Sequence, residues 1–155
     1  QINWGMEAGP GRVAATGYLT YVIDWKAMEP DGREVDYAGT IGHRGLSGSI
    51  PRWRSVLDLR YQWLGITAFA RWQHIDAMRD AEYRDFIVPA YDYFGLGASY
   101  SVDQGMLAGS TATIGVDNVF DEEPPLFPSH AQANTDPSQY DVLGRRYFLN
   151  VGYRF

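Results

Sequence analysis

From residue 147 to the end of the chain, every second side chain is apolar. Tyr147, Leu149, Val151, Tyr153 and Phe155 fall on one side of an extended backbone, and Arg146, Phe148, Asn150, Gly152 and Arg154 fall on the other. A spacing of two is the geometry of a strand with unlike faces; a helix would need apolar steps of three and four. The same period runs through six further segments, 1–8, 12–25, 52–63, 65–77, 91–102 and 106–119. In 91–102, Phe94, Leu96, Ala98, Tyr100 and Val102 alternate with Tyr93, Gly95, Gly97, Ser99 and Ser101; in 52–63, Leu57, Leu59, Tyr61 and Trp63 alternate with Asp58, Arg60 and Gln62. The period predicts an all-β chain of seven strands, with 65–77 and 106–119 the noisiest.

The links between these segments alternate in kind. Gly9-Pro10-Gly11, Trp63-Leu64-Gly65 and Asp103-Gln104-Gly105 predict tight hairpin turns, whereas 26–51, 78–90 and 120–144 are long. Short turns at one end of a sheet and long loops at the other are the plan of an antiparallel transmembrane β-barrel. Strands of this length cross a bilayer when tilted. Within the second long link, Met78, Ala81 and Phe86 are spaced for a helical turn or two across 78–86.

A soluble sandwich or a lipocalin-like barrel would also alternate, but its buried face would mix large and small residues. Here one face is almost purely aliphatic and aromatic, and the other is Gly, Ser, Thr, Asn, Asp and Arg, which fits a lipid-facing outside and a wet inside. Trp25, Trp53, Trp63, Tyr91, Tyr147, Tyr153 and Phe155 stand near segment ends, where a membrane–water girdle would sit. A content of 45% hydrophobic and 21% charged residues excludes a disordered tail. No apolar run is long enough for a spanning helix, and mean hydropathy is −0.31. The net charge of −6, with no basic cluster, argues against nucleic acid as a partner. The lack of cysteine removes disulfide and thiol chemistry. No charged leader opens the chain, so any export signal is expected outside it.

The C-terminal third carries a specific resemblance. Val116-Asp117-Asn118-Val119-Phe120-Asp121-Glu122-Glu123-Pro124-Pro125, then Asn134-Thr135-Asp136-Pro137, then Tyr140-Asp141-Val142-Leu143-Gly144-Arg145-Arg146-Tyr147-Phe148, and the ending Val151-Gly152-Tyr153-Arg154-Phe155 resemble, in order and spacing, the closing part of a TonB-dependent outer-membrane receptor. Upstream, Val35-Asp36-Tyr37 with Gly39-Thr40-Ile41-Gly42, and Leu46 with Pro51-Arg52-Trp53, resemble the preceding loop and strand of that family less sharply. The resemblance implies that the chain supplies about the last seven strands of a 22-stranded barrel, in the bacterial outer membrane, occluded by a plug domain. It further implies import of a scarce nutrient such as a siderophore, cobalamin or a saccharide, energised through the plug by TonB with ExbB and ExbD. Neither plug, TonB box nor the first fifteen strands are in this sequence. A passive porin-like channel is the alternative reading, and a barrel-embedded hydrolase a more remote one.

If the family reading holds, Asp24, Gln73, Tyr93, Asp117 and Arg146 are the inward ligand-binding candidates, with His43 and Arg44 in the first loop. The substrate itself cannot be read from them. Tyr147, Leu149, Val151, Tyr153 and Phe155 would form the signal recognised by the barrel insertion machinery. His43, His74 and His130 lie too far apart in sequence to suggest a metal site. Asp121-Glu122-Glu123 near Asp117 has the hard oxygens calcium takes, but a solvated acidic loop base is the simpler reading. His74-Ile75-Asp76 places an imidazole and a carboxylate at i, i+2 on one strand face; interfacial polar residues explain them without catalysis. No enzymatic activity, cofactor or metal is expected.

Overall fold

The computed structural model describes residues 1–43, 48–83, 85–128 and 134–154. Seven long strands form one antiparallel sheet: β1 (Ile2–Ala8), β2 (Gly11–Tyr21), β7 (Trp53–Trp63), β8 (Ile66–Ile75), β11 (Tyr91–Ser101), β12 (Ser110–Asp117) and β13 (Arg146–Tyr153), lying side by side in that order. They correspond to the seven predicted segments. The chain is all-β, with no helix among the described residues. The sheet is not closed: β1 and β13 are its two edges.

Six short strands lie in the long links. β3 (Lys26–Met28) and β4 (Glu34–Asp36) make a small hairpin, and β5 (Thr40–His43), β6 (Gly48–Ile50), β9 (Met78–Asp80) and β10 (Ile87–Val88) make a four-stranded sheet in which β5 and β9 run parallel. This corrects the helical turn expected over 78–86. Met78 and Val88 are each fully buried, and the Asp80 carboxylate accepts the backbone N–H groups of Glu82 and Tyr83 at 2.7 and 3.0 Å. That Asx-type turn competes successfully with a helix for the same donors.

Turn chemistry sets the register. Leu64 and Gly65 both take positive φ, +45° and +78°, as a two-residue type I′ hairpin requires. The third turn is longer than expected, because residues 102–109 form the link and β12 starts only at Ser110. Met106, predicted as the start of a strand, is 97% exposed in that turn. β2 likewise stops at Tyr21, so Trp25 is a loop residue.

The register sorts the faces. Trp4, Ala15, Leu59, Ala70, Leu96, Val116 and Tyr147 form one row across all seven strands. The face they share is apolar and open, with Tyr147 77%, Leu149 72% and Val151 71% exposed. The buried core lies elsewhere. Ile75 and Tyr91, paired across β8 and β11 on the polar face, pack with Ile41, Met78, Val88, Phe127 and Tyr140 contributed by the long links. The links thus fold over the polar face at one end of the sheet. Tyr91, expected in a girdle, is instead an anchor of this cap, with its hydroxyl donating to the Glu122 carbonyl at 3.1 Å.

Candidate functional site

The polar face carries a groove of about 570 Å³ bounded by β7, β8, β11, β12 and β13. Its floor follows from glycine placement. Register puts Gly5, Ala14, Arg60, Phe69, Gly97, Gly115 and Phe148 in one row. The rings of Phe69 and Phe148 lie over Gly97 and Gly115, where any Cβ would collide with them. This accounts for Phe148, the one apolar residue that broke the alternation of the last strand. It is a cross-strand cover for a glycine, a pairing that restores the packing a glycine forfeits.

One row nearer the cap, the Arg71 guanidinium grips the Asp58 carboxylate through Nε at 2.6 Å and Nη2 at 3.1 Å. Arg146 donates to Asp141 at 2.9 Å and lies 3.9 Å from Asp117, so it ties β13 to the third long link. Thr67, Ser99 and Thr113 line the groove on the turn side. Asp58 and Asp117 are thus paired with arginines, leaving hydroxyls, the Arg60 side chain and two aromatic plates along the groove. Such a surface can hydrogen-bond a polar solute or pack against another protein segment.

The cap closes the other end. Asn118, fully buried, donates to and accepts from Glu122 at 2.9 and 2.8 Å, and Thr135 donates to the Pro125 carbonyl at 2.9 Å. Ser49 donates to Asp136, joining the first and third links. Arg54 reaches Gln139 at 2.7 Å, and Arg52 donates to the carbonyls of Ile23 and Ala38. Burial pushes the Tyr140 hydroxyl well above its ordinary pKa. In the outer hairpin, Asp36 accepts the N–H groups of Trp25 and Ala38, which hold its carboxyl below the usual value of 3.8.

The predicted residues divide accordingly. Gln73 and Tyr93 are register partners on the polar face, with Tyr93 packed against the cap core, and Asp117 pairs with Arg146 on the same face. These four are brought to one side of the sheet. Asp24 is not on the sheet: it lies beyond β2, exposed, 3.8 Å from Lys26. His43 ends β5 with its backbone opposite Gly48; Arg44, His130 and Phe155 lie outside the described residues. Tyr147, Leu149, Val151 and Tyr153 share the apolar face of β13. No group of three metal-ligating side chains occurs among the described residues.

Asp58 and Arg71 were missed as a pair, although counting outward from the Leu64-Gly65 turn puts them opposite one another. His74 does not pair with Asp76, whose carboxylate accepts the neighbouring Ala77 N–H at 2.9 Å. It bonds Asp92 of the adjacent strand instead, through Nδ1 at 2.8 Å. Comparison with family models, curated proteins and solved structures finds no match.

Proposed function

We propose that this chain is the C-terminal part of a TonB-dependent importer of the bacterial outer membrane, its seven-stranded sheet forming an arc of a larger barrel. The observation that carries the membrane-barrel part of the reading is the apolar face: it spans all seven strands, is exposed over much of its extent, and is backed by a polar face rather than a second layer, while the importer part rests on the resemblance of 116–125 and 140–148. In water, an apolar surface of that extent would drive association; in a bilayer it is the required outside of a barrel. Trp53 and Trp63 stand on this face at the two ends of β7. The rise between them is about 33 Å along the chain, or roughly 25 Å along the membrane normal at a tilt of about 40°, the height of an outer-membrane apolar band.

The two open edges support a barrel completed by other strands, of the same protein or a companion chain, since unpaired backbone groups are costly in hydrocarbon. β1 and β13 run in the same direction, being first and last of seven antiparallel strands. Antiparallel closure therefore takes an odd number of additional strands, which the fifteen of a 22-stranded barrel satisfy. The groove on the polar face would meet the plug or the nutrient, the cap would form part of the extracellular mouth, and the last strand would meet the insertion machinery. Energy would come from TonB with ExbB and ExbD acting on the plug.

The test is uptake of the cognate nutrient by cells carrying the intact protein, with and without TonB or with the proton gradient collapsed. Surface binding survives both treatments and accumulation stops. Accumulation at an unchanged rate would reject the importer and favour a passive channel.

A further inference from the structure

Three neighbouring rows of register partners meet at the groove on the polar face. The row nearest the cap holds the ion pairs of Asp58 with Arg71 and of Asp117 with Arg146. The middle row sets Arg60 beside Phe69, with Gly97, Gly115 and Phe148 beyond. The row on the turn side is neutral from β7 to β13, with Gln62, Thr67, Ser99, Thr113 and Asn150 in register. Thr67, Ser99 and Thr113 line the groove, and none of their hydroxyls is bonded to a described residue. Phe69 and Phe148 are half-buried against the glycines, and both rings also line the groove. Arg71 and Arg146 are neutralised by carboxylates. Arg60 is exposed in the groove and has no ion-pair or hydrogen-bond partner among the described residues.

Each free group asks something different of a ligand. An unpaired guanidinium is a fork for a carboxylate. Hydroxyls that can both donate and accept suit a partner that carries hydroxyls itself. An aromatic ring among a few convergent polar groups offers an apolar surface to the flat side of a ring. A saccharide ring has that division, with C–H groups on its face and hydroxyls around its rim, and an acidic saccharide adds the carboxylate. We propose that this groove is a subsite for an acidic saccharide, with the carboxylate on Arg60, the C–H face on Phe69 and the rim hydroxyls on Thr67 and Ser99. The proposal names a substrate class for the import reading and rests on that reading, in which the groove lines the path of the solute. Strand geometry sets Arg60 and Phe69 about 5 Å apart and Phe69 and Thr67 about 7 Å apart at their Cα atoms, so one sugar ring reaches all three. A simple aromatic acid would use Arg60 and Phe69 but satisfy none of the hydroxyls, and a neutral sugar would leave the guanidinium unused.

The experiment is calorimetric titration of the intact protein in detergent with uronate trisaccharides of the galacto, gluco and manno series, with their methyl esters, and with benzoate. At least one uronate binds. Its methyl ester, which keeps every hydroxyl and loses only the charge, binds about tenfold more weakly, the worth of one charged hydrogen-bonded contact, and benzoate does not bind over the same range. Arg60→Gln lowers the affinity for the uronate by a similar factor and leaves that for the ester unchanged, a split that a merely structural arginine would not produce. Thr67→Val weakens acid and ester alike. Heat-modifiable mobility verifies that each variant is folded. Absence of binding by every uronate, as when a plug segment fills the groove, overturns the proposal, and so does equal affinity for acid and ester or an unchanged uronate affinity in folded Arg60→Gln. Failure of the import reading appears separately, as TonB-independent accumulation of the uronate with its Arg60-dependent binding intact.

Discussion

Neighbouring residues on β13 should respond oppositely to the same charge, because Leu149 stands on the apolar face and Asn150 on the polar one. In the intact protein Leu149→Arg should destabilise by about 2–4 kcal/mol near the bilayer midplane, and Asn150→Arg by much less. A refolding titration of both variants checks this, and equal costs would mean that the faces are misassigned. Leu64 offers a prediction of the other sign. A branched side chain at φ +45° carries a left-handed penalty of about 1–2 kcal/mol that Asn or Gly avoids. Leu64→Asn should therefore stabilise the β7–β8 hairpin, read as a later midpoint in the same titration. Asp36 gives a pH dependence. Its folded pKa lies below its unfolded one, so its contribution is complete above the unfolded value and is lost as pH falls through the folded value. Trp25 emission should change in that acid window, and Asp36→Ala should show the altered emission already at neutral pH.

At the scale of elements, the sheet and the cap depend on different interactions. The long strands are held by ladders and by whatever covers their apolar face, whereas the cap has its own buried core around Phe127, Tyr91 and Tyr140. Phe127→Ala should cost about 3–5 kcal/mol and be felt locally, as faster amide hydrogen exchange in β5, β9 and β10 with β7 and β8 protected as before. Loss of protection across the whole sheet would show that cap and sheet are one cooperative unit. The division also explains what the sequence disclosed. Period two is a local signal, so the seven strands, their faces and the two-residue turn at Leu64-Gly65 were legible. The cap was not, because its pairings join residues far apart, such as Thr40 with Arg79 and Ser49 with Asp136. Tyr91 shows the limit most plainly. An aromatic at a strand end reads as a girdle residue, and only the fold of the links over the polar face makes it core. His74 shows the same for the side-chain row: its sequence neighbour Asp76 suggested itself, but the partner is across the ladder at Asp92.

For the whole molecule, a sheet with two open edges carries a consequence for expression. Residues 1–155 produced alone should not yield a heat-modifiable, protease-resistant barrel, since direct pairing of β1 with β13 would join parallel strands within an otherwise antiparallel sheet. A stable monomeric barrel from these residues alone would contradict that. Whether the apolar face meets lipid and the polar face an aqueous interior can be tested directly in the intact protein, with one cysteine introduced at a time on a background freed of any others; these 155 residues contribute none. Nitroxides placed in turn at residues 146–153 would be read for collision with oxygen, which concentrates in hydrocarbon, and with a water-soluble nickel chelate. The expected result is a period of two, with high oxygen and low nickel accessibility at 147, 149, 151 and 153 and the reverse at 146, 148, 150 and 152. Nickel accessibility that is high at both sets of positions would mean that the apolar face is not in a membrane.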